Sequence, residues 1–569
     1  MYTEWTTSAI AGSGNYAAAL PSRLISSQPQ VLPISSLRSP VLILSTALIV
    51  PFLHCKSSKM WVSAKAKLTL ALWIGVIAVH AAITPANFSL ALQALPTLGQ
   101  AAISANSSVG VPGLAIAVVW NNALQYAAGF GLLSIDGNEN VTTETVFQLA
   151  SLSKPLASTT VAAIVSEGDI TFDSPVNSPA LIAAYSDPWI SAEVSIADGL
   201  SHRSGLYPLA GDDLEQFGFN RSEILPKLQY MKPGGAFRSS YGYSNYGFTL
   251  AAQSAATSAS KSWEDAAQDY LYGPLNMSST SSRYSDFVTR SSRAVLHTPG
   301  ANGSWAPSPP RNPDAQAPAG GATSNVVDLA KWMLLHLNSG SFNGTQLISQ
   351  AAINETRLPH SMSGPNPITG LPSFYGLGWD SATQDGSIVV SHAGAFSQGT
   401  RSYAKLNINE GLGVVVLSNC FPTGEPEAIA QTFFDLAMYG KTTADWVAIW
   451  NGLYQKLAQS FELPNPYTGT PPADATAALP LSAYAGKYTN DYVGLINFIV
   501  GASGGMNLTF PGSSNDSLQV VHWDRDNFYI NLESPAGVLF TIGADGNASS
   551  VTIDAFNTNG GGLFTRLVS

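Results

Sequence analysis

The sequence predicts a mixed fold of the α/β (α+β) class, in which helices flank an antiparallel sheet and a small antiparallel β-barrel follows. Helical and strand patterns alternate from about residue 88 to residue 440. Five prolines among small residues interrupt any regular pattern between positions 463 and 480. Beyond them the chain shows only short strand patterns separated by Gly, Asn and Asp. We therefore expect a large domain over 88–440, a helix and proline-rich linker over 441–480, and a β-domain over 481–569.

The elements of the large domain follow from the spacing of its apolar residues. Apolar residues at helical spacing predict helices, and apolar runs bounded by turn residues predict strands. The predicted helices are Leu90–Ile103, Val326–Leu337 and Glu425–Tyr439. The predicted strands are Gly113–Trp120, Leu124–Gly131, Gly386–Ser391, Thr400–Ile408 and Gly413–Asn419.

The composition excludes several classes of protein. With 569 residues and 45% hydrophobic positions, the chain has enough apolar surface for packed cores, which excludes bulk disorder. A formal net charge of −11 argues against binding to nucleic acid or to an anionic membrane surface. Two cysteines, Cys55 and Cys420, are too few for a disulfide framework or a cysteine-based metal site. The histidines are scattered and no phosphate loop or dinucleotide fingerprint is present, so we expect neither a metal nor a cofactor.

Residues 60–82 have the pattern of a secretory signal peptide. A basic stretch over Met60–Lys67 precedes the uncharged run Leu68–Val79 and the small residues Ala81 and Ala82. Two interpretations stay open. Either translation starts at Met60 and residues 1–59 are an extra segment that is not translated, or the region is a membrane anchor with Val41–Phe52 as a second apolar run. Both runs are shorter than the roughly 20 apolar residues of a spanning helix, which favours the signal peptide.

Acceptor sequences for N-glycosylation, Asn-X-Ser/Thr, all lie after the predicted signal peptide. They begin at Asn87, Asn106, Asn140, Asn220, Asn276, Asn302, Asn343, Asn354, Asn507, Asn515 and Asn547. We expect a secreted, N-glycosylated protein, with a membrane-anchored protein as the alternative.

Three Ser-X-X-Lys sequences are present, beginning at Ser151, Ser258 and Ser402. Serine and lysine at this spacing share a face only where both belong to a helix. Pro155 follows Lys154 and is tolerated only around the first turn, so a helix must begin within about a residue of Ser151. Ser258 falls late in a polar helical segment, and Ser402 falls in a strand, where residues i and i+3 face opposite sides. The sequence therefore selects Ser151 with Lys154.

Two further motifs follow Ser151 along the chain. The first is Tyr243-Ser-Asn245, and the second is His392-Ala-Gly394, the one His-X-Gly among eight histidines. Together with Ser-X-X-Lys, they resemble the serine β-lactamase and penicillin-binding-protein-like family, which is related to class C β-lactamases and has esterase and D-aminopeptidase members. The resemblance covers about residues 90–440 and implies a β-lactamase/transpeptidase-like antiparallel sheet flanked by helices. The β-domain resembles the lipocalin-like modules appended to some members.

The resemblance also implies a role for each residue of the first two motifs. Ser151 would attack a carbonyl carbon and form an acyl-enzyme. Lys154 would be its base, which requires desolvation or nearby positive charge to lower a pKa that is ordinarily about 10.4. Tyr243 would carry a proton to the leaving group and later activate water, and Asn245 would orient the lysine and the substrate.

The third motif would border the substrate. Gly394 would let the substrate backbone approach closely, and the N–H groups of Ser151 and Ala395 would form the oxyanion hole. The family usually has lysine at the position of His392, and a mostly neutral histidine favours ester or amide substrates without a carboxylate at that point. β-Lactamase or D-amino-acid peptidase activity is the alternative. We expect His202 to be a structural residue beside the site with its hydrogen bonds satisfied.

Two other interpretations compete with this one. Gly501-Ala-Ser503-Gly-Gly505 matches the Gly-X-Ser-X-Gly elbow of α/β-hydrolases, but no helical pattern follows it, so we interpret it as a β-turn. A catalytically inactive binding scaffold is the second alternative. Because all three motifs are intact, we favour a serine hydrolase acting on a small ester, amide, lactam or short peptide.

Overall fold

The computed structural model describes residues 82–568, apart from 105–109, 177–184, 301–303, 462–464, 503, 511–516, 533 and 558–559. The extra segment 1–59, residues 60–81 of the predicted signal peptide and the alternative membrane anchor therefore lie outside the described residues. Within the described ranges, no helix combines the length and the apolar character that crossing a membrane requires.

Fourteen α-helices are present in the described residues. The α-helices are α1 (Pro85–Ser104), α2 (Ser153–Glu167), α3 (Pro188–Glu193), α4 (Ile196–Leu200), α5 (Asp212–Gln216), α6 (Arg221–Ile224), α7 (Asn245–Ser258), α8 (Trp263–Ala267), α9 (Tyr284–Thr289), α10 (Ala317–Gly320), α11 (Val326–Leu337), α12 (Gln350–Glu355), α13 (Glu425–Tyr439) and α14 (Trp446–Phe461).

The strands form one large sheet, one closed barrel and three short pairs. The large sheet contains eight strands in the order β2-β1-β14-β13-β12-β11-β10-β9, with antiparallel neighbours. Its members are β1 (Gly113–Trp120), β2 (Ala123–Gly131), β9 (Ser361–Pro365), β10 (Pro372–Tyr375), β11 (Asp380–Gln384), β12 (Ser387–Phe396), β13 (Thr400–Asn407) and β14 (Leu412–Ser418). The short pairs are β3 (Phe147–Gln148) with β6 (Thr323–Ser324), β4 (Leu296–Pro299) with β5 (Trp305–Ser308), and β7 (Ser341–Phe342) with β8 (Thr345–Gln346).

Both faces of the large sheet are covered, which explains why its central strands are apolar throughout. Along β1, alternate residues point to opposite faces. Leu114, Ile116 and Val118 belong to the core shared with α1 and α13, whereas Ala115 and Ala117 belong to the core shared with α2, α7 and α11. The second of these cores contains Leu149 and Leu152, on either side of Ser151.

The predicted fold class is confirmed, and several elements match residue for residue. Helices Val326–Leu337 and Glu425–Tyr439 and strand Gly113–Trp120 have the predicted bounds. The first helix begins earlier than predicted, at Pro85. Strand β12 continues to Phe396, beyond the predicted end at Ser391, because the buried sheet position of these residues overrides the weak strand propensity of the glycine among them.

The C-terminal region is a closed antiparallel barrel, as predicted. Its strands in spatial and chain order are β15 (Gly486–Asn490), β16 (Gly494–Val500), β17 (Met506–Thr509), β18 (Leu518–Asp524), β19 (Asn527–Ile530), β20 (Ala536–Ile542), β21 (Ala548–Ile553) and β22 (Leu563–Arg566). Alternate residues are buried, and aromatic rings such as Tyr488, Phe498, Phe528 and Phe540 contact one another inside. Side chains therefore occupy the interior of the barrel.

Candidate active site

Ser151 lies at a tight junction between the sheet and helix α2. Residues Ala150–Leu152 form a 3-10 turn that leads directly into α2, so Pro155 falls in the first helical turn as expected. Ala150 has φ of +48°, a left-handed conformation that non-glycine residues seldom adopt. The carbonyl of Leu149, just before it, accepts a hydrogen bond from Ser402 Oγ at 2.7 Å. The surrounding structure therefore holds a strained backbone next to Ser151.

The side chains of Ser151 and Lys154 meet in a fully buried environment. Both residues have 0% exposure, and Lys154 Nζ lies 3.0 Å from Ser151 Oγ. The Nζ atom also donates to Asn245 Oδ1 at 2.7 Å and to the Ala319 carbonyl at 3.1 Å. These two oxygens can only accept hydrogen bonds. A neutral amine that gave its two hydrogens to these oxygens would have its lone pair available to Ser151 Oγ, whereas the protonated amine can donate to all three oxygens.

The orientation of the Asn245 amide follows from its other contact. Asn245 is the first residue of α7, which Ser244 caps by accepting the Gly247 N–H at 3.0 Å. Its Nδ2 lies 3.3 Å from both carboxylate oxygens of the buried Asp212. Because a carboxylate accepts and does not donate, Nδ2 must face Asp212 and Oδ1 must face Lys154.

Tyr243 completes the group around the serine. Its hydroxyl donates to Ser151 Oγ at 2.8 Å, and Lys154 Nζ lies 4.6 Å from the centre of its ring. The loop before it is tied to the neighbouring loop, since Gly242 N–H donates to the His202 carbonyl at 2.8 Å. The sequence-predicted residues Ser151, Lys154, Tyr243 and Asn245 therefore lie together.

His202 lies against Tyr243, but it is not the satisfied residue that we expected. Its Nδ1 accepts the Ser244 N–H at 3.2 Å, so the neutral ring has its proton on Nε2, and Nε2 has no hydrogen-bond partner in the described structure. The ring centres of His202 and Tyr243 are 4.3 Å apart. Burial and the positive charge of Lys154 hold the pKa of His202 well below its usual value of 6.5. The prediction that this residue is satisfied is wrong because the aromatic rings around it supply no acceptor for Nε2.

His392 is a neutral residue in the third predicted motif. Its Nδ1 contacts the Ala393 carbonyl at 2.7 Å, which requires a proton on Nδ1, and Nε2 then accepts from the Tyr375 hydroxyl at 2.9 Å. Burial, followed by the charge of Lys154, lowers the pKa of His392 to about 3. His392 is therefore uncharged at neutral pH, as the residue type already indicated.

The strand that carries His392 leaves part of one edge unpaired. Its last partner on β11 is the Asp380–Ser391 pair, so in the described structure residues 392–396 of β12 pair only with β13 on the other side. Ala395 belongs to this stretch, opposite Arg401. An unpaired strand edge offers backbone groups to an extended ligand.

Close backbone packing requires a glycine at position 394. A Cβ at this position would lie 2.1 Å from the Leu149 carbonyl oxygen and 2.7 Å from the Leu152 nitrogen. The space that a side chain at position 394 would need is therefore filled by the backbone on either side of Ser151. The glycine lets β12 pack against the Ser151 turn.

The two rejected Ser-X-X-Lys sequences have other environments. Ser258 ends α7, and Lys261 pairs with Asp269 at the surface, 2.9 Å away. Ser402 bonds to Leu149, whereas Lys405 contacts Gln431 on α13, so the two side chains of this strand diverge as predicted. Ser503 lies outside the described residues. The residues around it form a turn, with Gly501 N–H donating to the Gly505 carbonyl at 2.8 Å, and a strand follows instead of a helix.

Three contributors to this site escaped the sequence analysis. Ala319 acts through its backbone carbonyl, for which a sequence has no side-chain signal. Asp212 lies 33 residues before Asn245, and only the fold brings them together. Tyr375 lies 17 residues before His392, and the fold brings its hydroxyl to His392 Nε2. In the described ranges, no group of His, Cys, Asp and Glu side chains could hold a metal ion.

Comparison with known sequences assigns the family. The profile described as Beta-lactamase matches residues 98–437, and a second profile, described as a domain of unknown function (DUF3471), matches residues 470–561. The chain belongs to the beta-lactamase family and is a hydrolase of that fold. The predicted resemblance is therefore confirmed at the level of the family.

Individual relatives are distant. The unguisins hydrolase ungD' of Aspergillus campestris (strain IBT 28561) is 25% identical over 397 residues, covering 67% of this chain and 72% of the relative. Penicillin-binding protein 4 of Amycolatopsis lactamdurans is 26% identical over 320 residues, covering 54% of this chain and 81% of the relative. The structure of the octameric penicillin-binding protein homologue from Pyrococcus abyssi has the same fold, with a TM-score of 0.50 at 20% identity, covering 78% of this chain and 94% of that one.

Proposed function

We propose that the protein is a secreted serine hydrolase that cleaves ester or amide bonds through an acyl-enzyme on Ser151. One observation carries the proposal: Ser151 Oγ lies within hydrogen-bond distance of both Lys154 Nζ, at 3.0 Å, and the Tyr243 hydroxyl, at 2.8 Å. A hydroxyl nucleophile needs an adjacent base and a proton route to the leaving group, and this pair supplies both.

In the acylation step, Ser151 Oγ forms a bond to the carbonyl carbon and gives its proton to the lone pair of Lys154. The N–H groups of Ser151 and Ala395 are the proposed donors to the developing oxyanion. The bond from the carbonyl carbon to the leaving oxygen or nitrogen then breaks, and Tyr243 passes a proton to that atom. Lys154 returns a proton to Tyr243, which restores the starting state of both residues.

In the deacylation step, water attacks the ester carbon of the acyl-enzyme. As Tyr243 accepts a proton from this water, it passes its own hydroxyl proton to the neutral Lys154. The bond from the ester carbon to Ser151 Oγ then breaks, and Lys154 returns that proton to Ser151 Oγ. Asn245, held by Asp212, keeps the amine of Lys154 in one orientation through both steps.

The neutral His392 restricts the substrate class. A buried imidazole with a pKa near 3 carries no charge at neutral pH, so it does not pair with a substrate carboxylate. We therefore propose small esters or short peptide amides that lack an anion at this point. The relatives' names include a hydrolase of unguisins and a D-alanyl-D-alanine carboxypeptidase/endopeptidase of Escherichia coli, AmpH, which is consistent with amide substrates.

The proposal that the protein is secreted and glycosylated is supported by the placement of its acceptor asparagines. Those described as exposed are Asn140, Asn220, Asn276, Asn343 and Asn547, and those partly exposed are Asn87, Asn354 and Asn507. A glycan needs a surface position. Secretion from a eukaryotic host, followed by a mass decrease on treatment with an N-glycosidase, is the expected result. An unmodified chain retained in the cell would contradict it.

The mechanism is tested by intact mass after reaction with a fluorophosphonate, alongside turnover of a chromogenic short-chain ester. We expect one adduct and turnover in the wild type, and neither in Ser151→Ala. Ser258→Ala is the matched control, because it removes a serine from the same sequence motif at the end of α7, and it should behave as the wild type.

Other outcomes would redirect the assignment. Activity that survives Ser151→Ala would place the nucleophile elsewhere. Absence of any adduct or turnover with esters, lactams and D-amino amides would favour an inactive binding scaffold. Efficient cleavage of a penicillin would contradict the inferred substrate class and favour the β-lactamase alternative.

A further inference from the structure

A residue of the C-terminal barrel contacts the short helix that supports the candidate active site. The hydroxyl of Tyr492, in the turn between β15 and β16, accepts the Gly211 N–H at 3.0 Å and donates to Asp213 Oδ1. Tyr492 is only 3% exposed. Two consecutive hydrogen bonds therefore join the barrel to the start of α5 (Asp212–Gln216).

Helix α5 has two functional faces. Asp212 and Glu215, three residues apart, point toward α7: Asp212 accepts from Asn245, and Glu215 accepts from the Tyr246 hydroxyl at 2.9 Å. Asp213 faces the barrel, as does Phe217, which directly follows the helix. The helix therefore lies between the barrel and the residues that hold Lys154.

Packing around this helix also comes from the barrel. The ring centre of Phe217 is 4.4 Å from that of Phe556 and 4.9 Å from that of Phe510. Lys227 Nζ donates to the Val493 carbonyl at 3.0 Å, next to Tyr492. The barrel therefore contacts the region around α5 through aromatic packing as well as through hydrogen bonds.

A helix of this length depends on such contacts. Five residues form about one and a half turns, far fewer than an isolated helix needs in water. Its N-cap is Gly211, which has φ of +91° and no side chain to accept a backbone N–H. Tyr492 accepts the N–H of this N-cap residue, the group that the N3 side chain satisfies in a capping box.

We propose that Tyr492 is a positioning residue for the proposed hydrolysis: it fixes α5, α5 places Asp212, and Asp212 holds the Asn245 amide that orients Lys154. The barrel then helps to orient the Lys154 amine toward Ser151. This inference rests on the proposed function, because it concerns the orientation of the base in that reaction.

The first test compares two tyrosines of the barrel. Tyr492→Phe removes the hydroxyl that contacts α5. Tyr488→Phe is the matched control, because its buried hydroxyl donates to the Tyr484 carbonyl inside the barrel at 2.7 Å. We expect Tyr492→Phe to lower kcat for a chromogenic ester about tenfold with KM nearly unchanged, and Tyr488→Phe to keep the wild-type kcat. Rates are measured above pH 7, because burial raises the pKa of Asp213 to about 6 and its protonation would alter the same contact.

A double-mutant cycle tests the route through Asp212. Asp212→Asn can present an amide N–H to Asn245 and so removes the constraint on its orientation. We expect Asp212→Asn to lower kcat, and Tyr492→Phe to add little further loss in that background. Losses that multiply in the double variant would overturn the proposed route.

The remaining outcomes are equally decisive. Equal kcat losses in Tyr492→Phe and Tyr488→Phe, in proportion to lowered melting temperatures, would make the barrel a purely stabilising element and overturn the inference. Unchanged kcat in Tyr492→Phe would do the same. A wild type that neither reacts with a fluorophosphonate nor turns over the ester would refute the proposed function itself, and the inference with it.

Discussion

The surroundings of Ser151 and the interior of the barrel differ in what they bury: polar groups near Ser151, and apolar and aromatic side chains in the barrel. Around Ser151, buried polar groups contact one another and the backbone of Ala150 is left-handed. The buried Nε2 of His202 has no hydrogen-bond partner among the residues that the structure describes. Inside the barrel, apolar and aromatic side chains alternate regularly with outward-facing residues. Local strain and incomplete hydrogen bonding are concentrated at functional sites, whereas regular packing supplies stability. The contrast predicts that substitutions in the two regions will change the free energy of unfolding by amounts that differ in sign as well as in size.

The largest expected effect on stability is in the barrel. Phe540 is 4% exposed, and its ring centre lies 4.9 Å from those of Tyr484 and Phe498. Phe540→Ala should lower the free energy of unfolding by about 3–5 kcal/mol, measured by urea denaturation, because it leaves a cavity. The control is Leu539→Ala at the neighbouring position, which is 52% exposed and should change the value by less than about 0.5 kcal/mol. Similar losses for both variants would mean that the barrel interior is not closely packed.

A smaller effect is expected from the buried histidines of the large domain. Burial lowers the pKa of His392 to about 3 and holds those of His202 and His336 well below 6.5. As pH falls below 6.5, the unfolded chain takes up protons that these folded-state histidines do not bind, so stability falls. Each contributes at most about 1.4 kcal/mol per pH unit, and for His392 the loss continues down to about pH 3.

The contribution of His392 to this pH dependence can be measured by substituting it. The free energy of unfolding of His392→Gln should fall less steeply between pH 6 and pH 4 than that of the wild type, by up to one proton's slope. The control is Ser258→Ala, which removes no titratable group and should keep the wild-type slope. Identical slopes for the wild type and His392→Gln would show that His392 is protonated in the folded protein.

The smallest expected effect is a gain in stability from a substitution beside Ser151, where most substitutions lower stability. Ala150→Gly relieves the left-handed conformation at φ of +48° and should raise the free energy of unfolding by about 0.5–1 kcal/mol. It should also slow acylation, since the turn no longer holds Ser151 as firmly. In the interior of α2, Ala157→Gly should instead lower stability by about 1 kcal/mol. A stability loss in Ala150→Gly would mean that the left-handed alanine is not strained.

The same contrast explains how much the sequence could predict. Helix Val326–Leu337 was found residue for residue because its periodicity and its cap, Asn325, are local signals. The barrel was predictable from strand patterns that alternate at short range. Within the site, Ser151 and Lys154 share one helical turn and could be paired from spacing alone. Asp212 and the Ala319 carbonyl could not be found, because their contacts depend on how distant elements pack. The packing constraint on Gly394 could not be predicted for the same reason, since its neighbours Leu149 and Leu152 approach from another element.

Cys420, which follows β14, gives the protein an internal reporter of unfolding. In a chain that begins after residue 82 it is the single cysteine. It has 0% exposure, and burial raises the pKa of its thiol to about 12, so almost no thiolate is present in the folded state. A thiol reagent can therefore reach it only when the core between the large sheet and α13 opens. The rate of its modification measures how often that core opens under native conditions, without an engineered probe.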